Sequence, residues 1–194
     1  MRWLLVVALI ILIGASPLAA TAPAAQQSAP KAAPNPPNPT VVALSKLNGQ
    51  AFDVAFMRAL IPIYEEAIEV AMAATLNADH SELLQWNQVM IDRKSGQVGK
   101  MLAWLKDAGA SPGQRNAGVV TDSVKKMRAL QGKALEQAYI PMMSAHLKQS
   151  VDLAALAVTK ASRPELRAMA QETAKVEGEE VKMLKGWSSK WYGR

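Results

Sequence analysis

Apolar residues recur three and four positions apart along most of the chain after residue 45, which is the spacing of one buried helix face. No segment alternates apolar and polar residues for long enough to predict a strand. The pattern predicts four helices, from about Ser45 to Leu76, from about Glu82 to Lys106, from Thr121 or Asp122 to about Thr159, and from Pro164 to about Trp191. Four helices joined by short turns predict an all-α protein, an antiparallel four-helix bundle within residues 45–194.

The pattern occurs twice. Glu82-Leu83 lies over Glu165-Leu166 when the sequence is shifted along itself by the difference 165 − 82 = 83. Other landmarks align in the same register, namely Phe56 with Tyr139, Ala71 with Ala154, Val98 with Val181, and Trp104 with Trp187. Two similar halves predict one helix-pair unit used twice, with repeat one at 51–106 and repeat two at 135–191. In the first repeat, residues 92–99 are polar and include two glycines, which predicts a locally loose helix.

The N-terminal residues predict export. Arg2 precedes an apolar run from Trp3 to Ile13, and small residues follow, which is typical of a secretory signal peptide over residues 1–22. A membrane span needs about 20 apolar residues, so this run predicts a periplasmic or secreted protein with no stable span after cleavage. An uncleaved N-terminal anchor is the alternative. Residues 23–44 predict an extended linker because they are rich in proline and alanine.

The amino-acid composition limits which metal ligands and binding partners the chain can have. The 194 residues carry a formal net charge of +6 and no cysteine, so neither a disulfide nor a thiolate ligand is available. Methionine is then the only soft metal ligand in the chain. The basic residues are spread along the sequence, with Lys125-Lys126 as the densest group and no aromatic residues beside it. This distribution predicts solvated helix faces and no nucleic-acid binding.

The sequence shows no catalytic motif. It contains no Gly-x-Ser-x-Gly and no glycine-rich phosphate loop. The Glu-x-x-His motif of di-iron bundles is also missing. Two groups of carboxylates, at residues 65, 66 and 69 and at residues 177, 179 and 180, are therefore interpreted as solvated faces. These observations predict a protein that is not an enzyme.

Two stretches resemble the family of domain of unknown function 305. In the first half, the residues that carry the resemblance are Phe56-Met57, Leu60 to Glu69, His80 to Leu83 and Met101 to Leu105. In the second half they are Tyr139, Met143, His146, Arg163 to Leu166 and Trp187. The resemblance implies a ferritin-like helical bundle and export. It also implies copper as the candidate cofactor, because some members bind copper through methionine and histidine.

The same resemblance locates a candidate metal site. The family's paired histidines fall on Ile63-Tyr64 in the first half and on His146-Leu147 in the second, so only His146 keeps a ligand. Met142 and Met143 lie four and three residues before His146, and this spacing places all three on neighbouring parts of one helix face. Thioethers and imidazole suit Cu(I). The predicted metal ligands are Met142, Met143 and His146, together with Met57 and Met101 from the first half.

Two hypotheses remain open. The leading one is an exported, non-enzymatic helical bundle that binds copper or another soft metal ion through these residues. The alternative is a metal-free structural or partner-binding bundle, because methionine at helical spacing is also typical of a flexible core residue. Neither hypothesis identifies the protein partner or the oligomeric state from the residues alone.

Overall fold

The computed structural model describes residues 38–193, and these residues form six α-helices and no strand. The helices are α1 (Pro39–Ser45), α2 (Gly49–Thr75), α3 (Ser81–Asp107), α4 (Asp122–Arg128), α5 (Gly132–Lys160) and α6 (Pro164–Tyr192). The prediction of an all-α protein is confirmed. The signal peptide, and the linker as far as residue 37, lie outside the described residues. Within the described part, no helix combines the length and apolar character needed to cross a membrane.

The order of helices recurs along the chain. The starts of α1 and α4 have the sequence offset 122 − 39 = 83, and the same offset separates α2 from α5 (132 − 49) and α3 from α6 (164 − 81). Short connections join α2 to α3 and α5 to α6. The helices of each pair pack along one another, and α2 also packs against α5. Each half therefore consists of one short helix followed by two long ones.

Two boundaries predicted from the sequence are wrong. The predicted linker extends to residue 44, but α1 begins at Pro39 and buries Leu44, while the Asn38 side chain accepts a hydrogen bond from the Thr40 amide. The predicted third helix is divided in two between Arg128 and Gly132. Gly132 has a φ of 51°, and an oxygen of the Asp79 carboxylate lies 2.6 Å from the place where a Cβ would stand. L side chains rarely adopt this left-handed φ and a regular α-helix does not continue through it, so α5 begins at Gly132.

The interior contains two clusters of buried apolar side chains. The first cluster joins α1, α2, α3, α5 and the start of α6, and its largest members are Phe52, Phe56, Met57, Leu60, Ile61, Tyr64, Met101 and Leu105. The second cluster joins α2, α3, α4, α5 and the end of α6, and its largest members are Trp86, Met90, Met127, Tyr139, Met143, Leu147 and Leu184. Both clusters draw on both halves, so apolar burial holds the halves together.

Two carboxylates at equivalent positions connect the halves at the helix ends. Asp53 on α2 accepts hydrogen bonds of 2.9 Å from the amides of Ser162 and Arg163, immediately before α6. Glu136 on α5 is the equivalent of Asp53 in the second half (136 − 53 = 83). It accepts bonds of 2.8 Å from the amides of Asp79 and His80, immediately before α3. Each carboxylate satisfies amides at a helix start that belongs to the other half.

The helix starts that receive these bonds have no side-chain cap of their own. The N-cap residue of α3 is His80, and its side chain makes no capping bond. Arg163 occupies the same position before α6, again without a side-chain cap. The sequence at the turns could not show this, because the residues that satisfy the amides come from a distant helix in each case.

Replacing Glu136 by glutamine tests this connection. We expect the free energy of unfolding, measured with urea at pH 7, to fall by about 1–3 kcal/mol, because a buried carboxylate acceptor is lost. Burial works to raise the pKa of Glu136, but hydrogen bonds from Tyr192, His80 and Asp79 outweigh it and hold that pKa below its ordinary value. The stabilisation is therefore present above the pKa of the unfolded chain and lost as the pH falls through the folded pKa. A difference between wild type and variant that stays constant on acidification would contradict this assignment.

Candidate metal site and the polar centre of the bundle

The five predicted metal ligands divide between two parts of the interior. Met142, Met143 and His146 lie within about one turn of the continuous helix α5. Met143 is fully buried in the second cluster, and Met142 packs against that cluster while half-buried. Met57 and Met101 are both buried in the first cluster. The structure therefore places Met142, Met143 and His146 on one helix, and it places Met57 and Met101 in a different cluster.

His146 has an unused nitrogen atom. Its Nδ1 is buried, and none of residues 38–193 gives this atom a hydrogen-bond partner. Burial lowers the pKa of His146, while the charge of Glu66 opposes that shift and the charge of Lys94 adds to it. The imidazole is therefore neutral at neutral pH, and a neutral imidazole has one nitrogen lone pair available for a hydrogen bond or a metal ion.

A buried ion pair occupies the centre of the bundle near this histidine. The Lys94 ammonium on α3 lies 2.6 Å from a carboxylate oxygen of Glu177 on α6, and neither side chain is more than 1% exposed. The same ammonium lies 3.8 Å from the centroid of the Tyr64 ring on α2. Burial lowers the pKa of Lys94, although the Glu177 carboxylate partly restores it. Lys94 and Glu177 are equivalent positions of the two halves (177 − 94 = 83).

Neutral polar groups extend this centre. The Tyr64 hydroxyl lies 3.1 Å from Oγ1 of Thr173, and the Gln97 side-chain amide donates to the same Oγ1 at 3.4 Å. Burial raises the pKa of Tyr64 well above its ordinary value, and the nearby Glu177 charge raises it further. The phenol therefore stays neutral across the physiological range, and it contributes a hydroxyl and a ring face to the environment of the ion pair.

Three of the six carboxylates predicted to be solvated are buried, so that prediction is wrong for them. Glu177 pairs with Lys94, and Glu180 accepts a bond of 3.0 Å from the Trp86 indole and one of 2.7 Å from Arg93. Glu65 accepts a 2.6 Å bond from the Asn116 amide and another bond from Arg115. In each case the partner lies on another element, which sequence spacing within one helix does not show. Glu179, in contrast, is largely exposed and pairs with Lys182.

The sequence interpretation missed Lys94 and its surroundings. Residues 92–99 appeared polar and loose, whereas α3 is continuous there and buries Lys94, Gln97 and Val98. The one available signal was the repeat itself, because its register places a lysine over a glutamate. Among residues 38–193, no three of the His, Asp and Glu side chains come together as a metal-binding group.

Comparisons with known proteins agree with this architecture. The family model of the domain of unknown function DUF305 matches residues 16–105 and 136–194, in two segments. The structure of CopM in the Cu(I)-bound form is similar, with a TM-score of 0.64, 23% identity, and coverage of 72% of this chain and 97% of that chain. A candidate secreted DUF305 protein from Streptomyces coelicolor has a TM-score of 0.65, 19% identity, and coverage of 71% and 93%. Identities this low show a shared fold. No curated protein matches the chain.

A double-mutant cycle on the central ion pair tests its structural role. Lys94→Met or Glu177→Leu alone should lower the free energy of unfolding by about 3–5 kcal/mol, because each leaves a buried charged group without its partner. Lys94→Met combined with Glu177→Leu should recover much of that loss. The matched control is Lys182→Met in the exposed pair with Glu179, which should change stability by about 0.5 kcal/mol or less. Single variants as stable as the control would show that the pair is not buried as described.

Proposed function

The chain belongs to the DUF305 family, and from that premise we propose that it is an exported, non-enzymatic protein that binds a soft metal ion, copper, through His146, Met142 and Met143. In this proposal, α2, α3, α5 and α6 form an antiparallel four-helix bundle made of two copies of one unit. The constant offset between equivalent helix starts and the two-segment family match support that arrangement. Only the second copy carries the ligand group.

The unpartnered Nδ1 of His146 is the observation that carries the proposal. A buried polar atom without a partner is uncommon in proteins and needs an explanation, of which a bound ion is one. Neutral imidazole suits copper, and copper in the Cu(I) state also accepts thioethers. Met142 and Met143 supply thioethers within one turn of the same helix, and the half-buried Met142 connects the site to the surface.

Similar structures support the choice of ion. CopM has the same fold as this chain and was determined in both Cu(I)-bound and Cu(II)-bound forms. The absence of cysteine leaves methionine and histidine as the soft and intermediate ligands of the chain. The signal-peptide pattern supports export to the periplasm or the medium.

A specific observation favours a second candidate function, a metal-free structural or partner-binding bundle. The Lys94 ammonium already provides a positive charge at the centre of the bundle, paired with Glu177. In the first half, Tyr64 is fully buried at one of the family's histidine positions, and its ring faces that ammonium. In this alternative, packing and the ion pair replace metal ligands in both halves.

Titration with Cu(I) against a competing chelator distinguishes the two candidates. The variant His146→Ile/Met143→Leu gives the second half the residues that the first half has at Ile63 and Leu60, so its packing is precedented in this chain. We expect the wild type to bind one Cu(I) and the variant to bind about tenfold more weakly or worse, which is about 1.4 kcal/mol or more. His80→Gln, at the other histidine, is the control and should bind like the wild type. Equal affinities for wild type and the double variant would favour the metal-free bundle.

A further inference from the structure

A cleft of about 450 Å³ opens where α3 ends and α6 begins, away from the proposed metal site. Its lining includes Trp104, Asp107 and Ala108 from the end of α3, together with Arg163 and the buried Asp53. The Arg163 guanidinium lies 5.6 Å from the centroid of the Trp104 ring. The volume is within the usual range for small-ligand sites, and an aromatic ring and a guanidinium both offer flat surfaces for stacking.

The equivalent place in the second half is filled by the protein's own residues. Trp191 stacks on His80, with ring centroids 3.9 Å apart, and on Trp187, with centroids 5.1 Å apart. The neighbouring Tyr192 donates its hydroxyl hydrogen bond to Glu136, and the Lys133 ammonium lies 5.7 Å from its ring centroid. Two adjacent aromatic side chains thus close the second half at its C-terminal end.

The first half has equivalent surrounding residues but lacks the two aromatic side chains that fill this place in the second half. The register of the repeat places Trp104 over Trp187, Arg163 over His80 and Asp53 over Glu136. The two residues that would provide the filling are instead small, because Ala108 stands where Trp191 does and Gly109 stands where Tyr192 does. The cleft therefore occupies the place that the two aromatic side chains fill in the second half. Its stacking surface is present, while the Asp53 carboxylate already accepts hydrogen bonds from Ser162 and Arg163.

The charges around the cleft also differ from those around the equivalent place in the second half. In the second half, Lys190 lies 3.9 Å from Glu82, immediately before the aromatic pair. In the first half, Asp107 replaces Lys190 and Glu165 replaces Glu82, so two carboxylates stand at this rim. Asp107 is 63% exposed and lies 3.9 Å from the Arg163 guanidinium, whereas Glu165 is exposed as well and is the carboxylate that corresponds to Glu82. With Asp53, three acidic groups and the single base Arg163 line the cleft. This balance favours a ligand that brings its own positive charge.

We propose that the cleft binds a basic–aromatic peptide segment of a partner protein, in which a lysine or arginine directly precedes aromatic residues. The chain's own Lys190-Trp191-Tyr192 segment is the template for this ligand. The incoming aromatic ring stacks against Trp104 and Arg163 in the place that Trp191 has against Trp187 and His80. The incoming basic residue pairs with Glu165, as Lys190 does with Glu82. This binding activity is separate from metal binding, and it does not depend on His146.

The tripeptide N-acetyl-Lys-Trp-Tyr-amide provides the direct test. It is titrated into the purified protein, and binding is followed by the NMR resonance of the Trp104 indole N–H, assigned with Trp104→Phe. We expect a saturable shift of that resonance with a Kd of about 1 mM or tighter, which corresponds to roughly 4 kcal/mol. N-acetyl-Glu-Trp-Tyr-amide should bind about tenfold more weakly, because its charge repels the acidic rim.

Two variants separate this site from unspecific binding. Ala108→Trp fills the cleft with the residue of the second half and should weaken binding of the lysine peptide about tenfold or more. Asp107→Lys, at an exposed position, copies Lys190 and should remove the preference for the lysine peptide over the glutamate peptide, so the test remains decisive even if Ala108→Trp does not fold. The proposal is overturned if Trp104 does not respond up to about 10 mM peptide, far above the expected Kd. It is equally overturned if a folded Ala108→Trp protein or the Asp107→Lys protein binds both peptides as the wild type does.

Discussion

Burial of the Lys94 ammonium constrains the whole interior of the bundle, because a charge removed from water has to be matched by an opposite charge nearby. Glu177 supplies that charge from α6, and Tyr64 supplies a ring face from α2. The Lys94 ammonium therefore connects α2, α3 and α6, which come from both halves. A half on its own would leave either the lysine or the glutamate unpaired, so the ion pair makes the two halves interdependent.

Equivalent positions of the two halves share the connecting carboxylates but differ in other functional groups. Asp53 and Glu136 perform one task twice, since each satisfies amides at a helix start of the opposite half. Other equivalent positions differ between the halves. Lys94 in the first half corresponds to Glu177 in the second, and Ile63 corresponds to His146. Equivalent positions thus carry the same type of connecting carboxylate in both halves, whereas the positions of Lys94 and Ile63 carry different residue types in the second half.

Periodicity predicted the four long helices well, because each buries an apolar stripe that is visible in the sequence. It failed at the break before Gly132, where the backbone takes a left-handed φ of 51°. It also failed for Lys94, Glu65, Glu177 and Glu180, since a charged residue looks solvated until its partner elsewhere in the chain is known. The α5 group of Met142, Met143 and His146 followed from local spacing, but the unpartnered Nδ1 and the separate cluster of Met57 and Met101 required three-dimensional structure.

Copper binding in our proposal depends on His146, beside a bundle centre where Lys94 already supplies a cation. X-ray absorption at the copper edge of the Cu(I)-loaded protein tests this claim most directly, because it identifies the atoms bound to the ion. We expect one imidazole nitrogen together with sulfur scatterers, and loss of the nitrogen signal in His146→Ile. A spectrum with only oxygen and nitrogen ligands, or one unchanged in that variant, would contradict it.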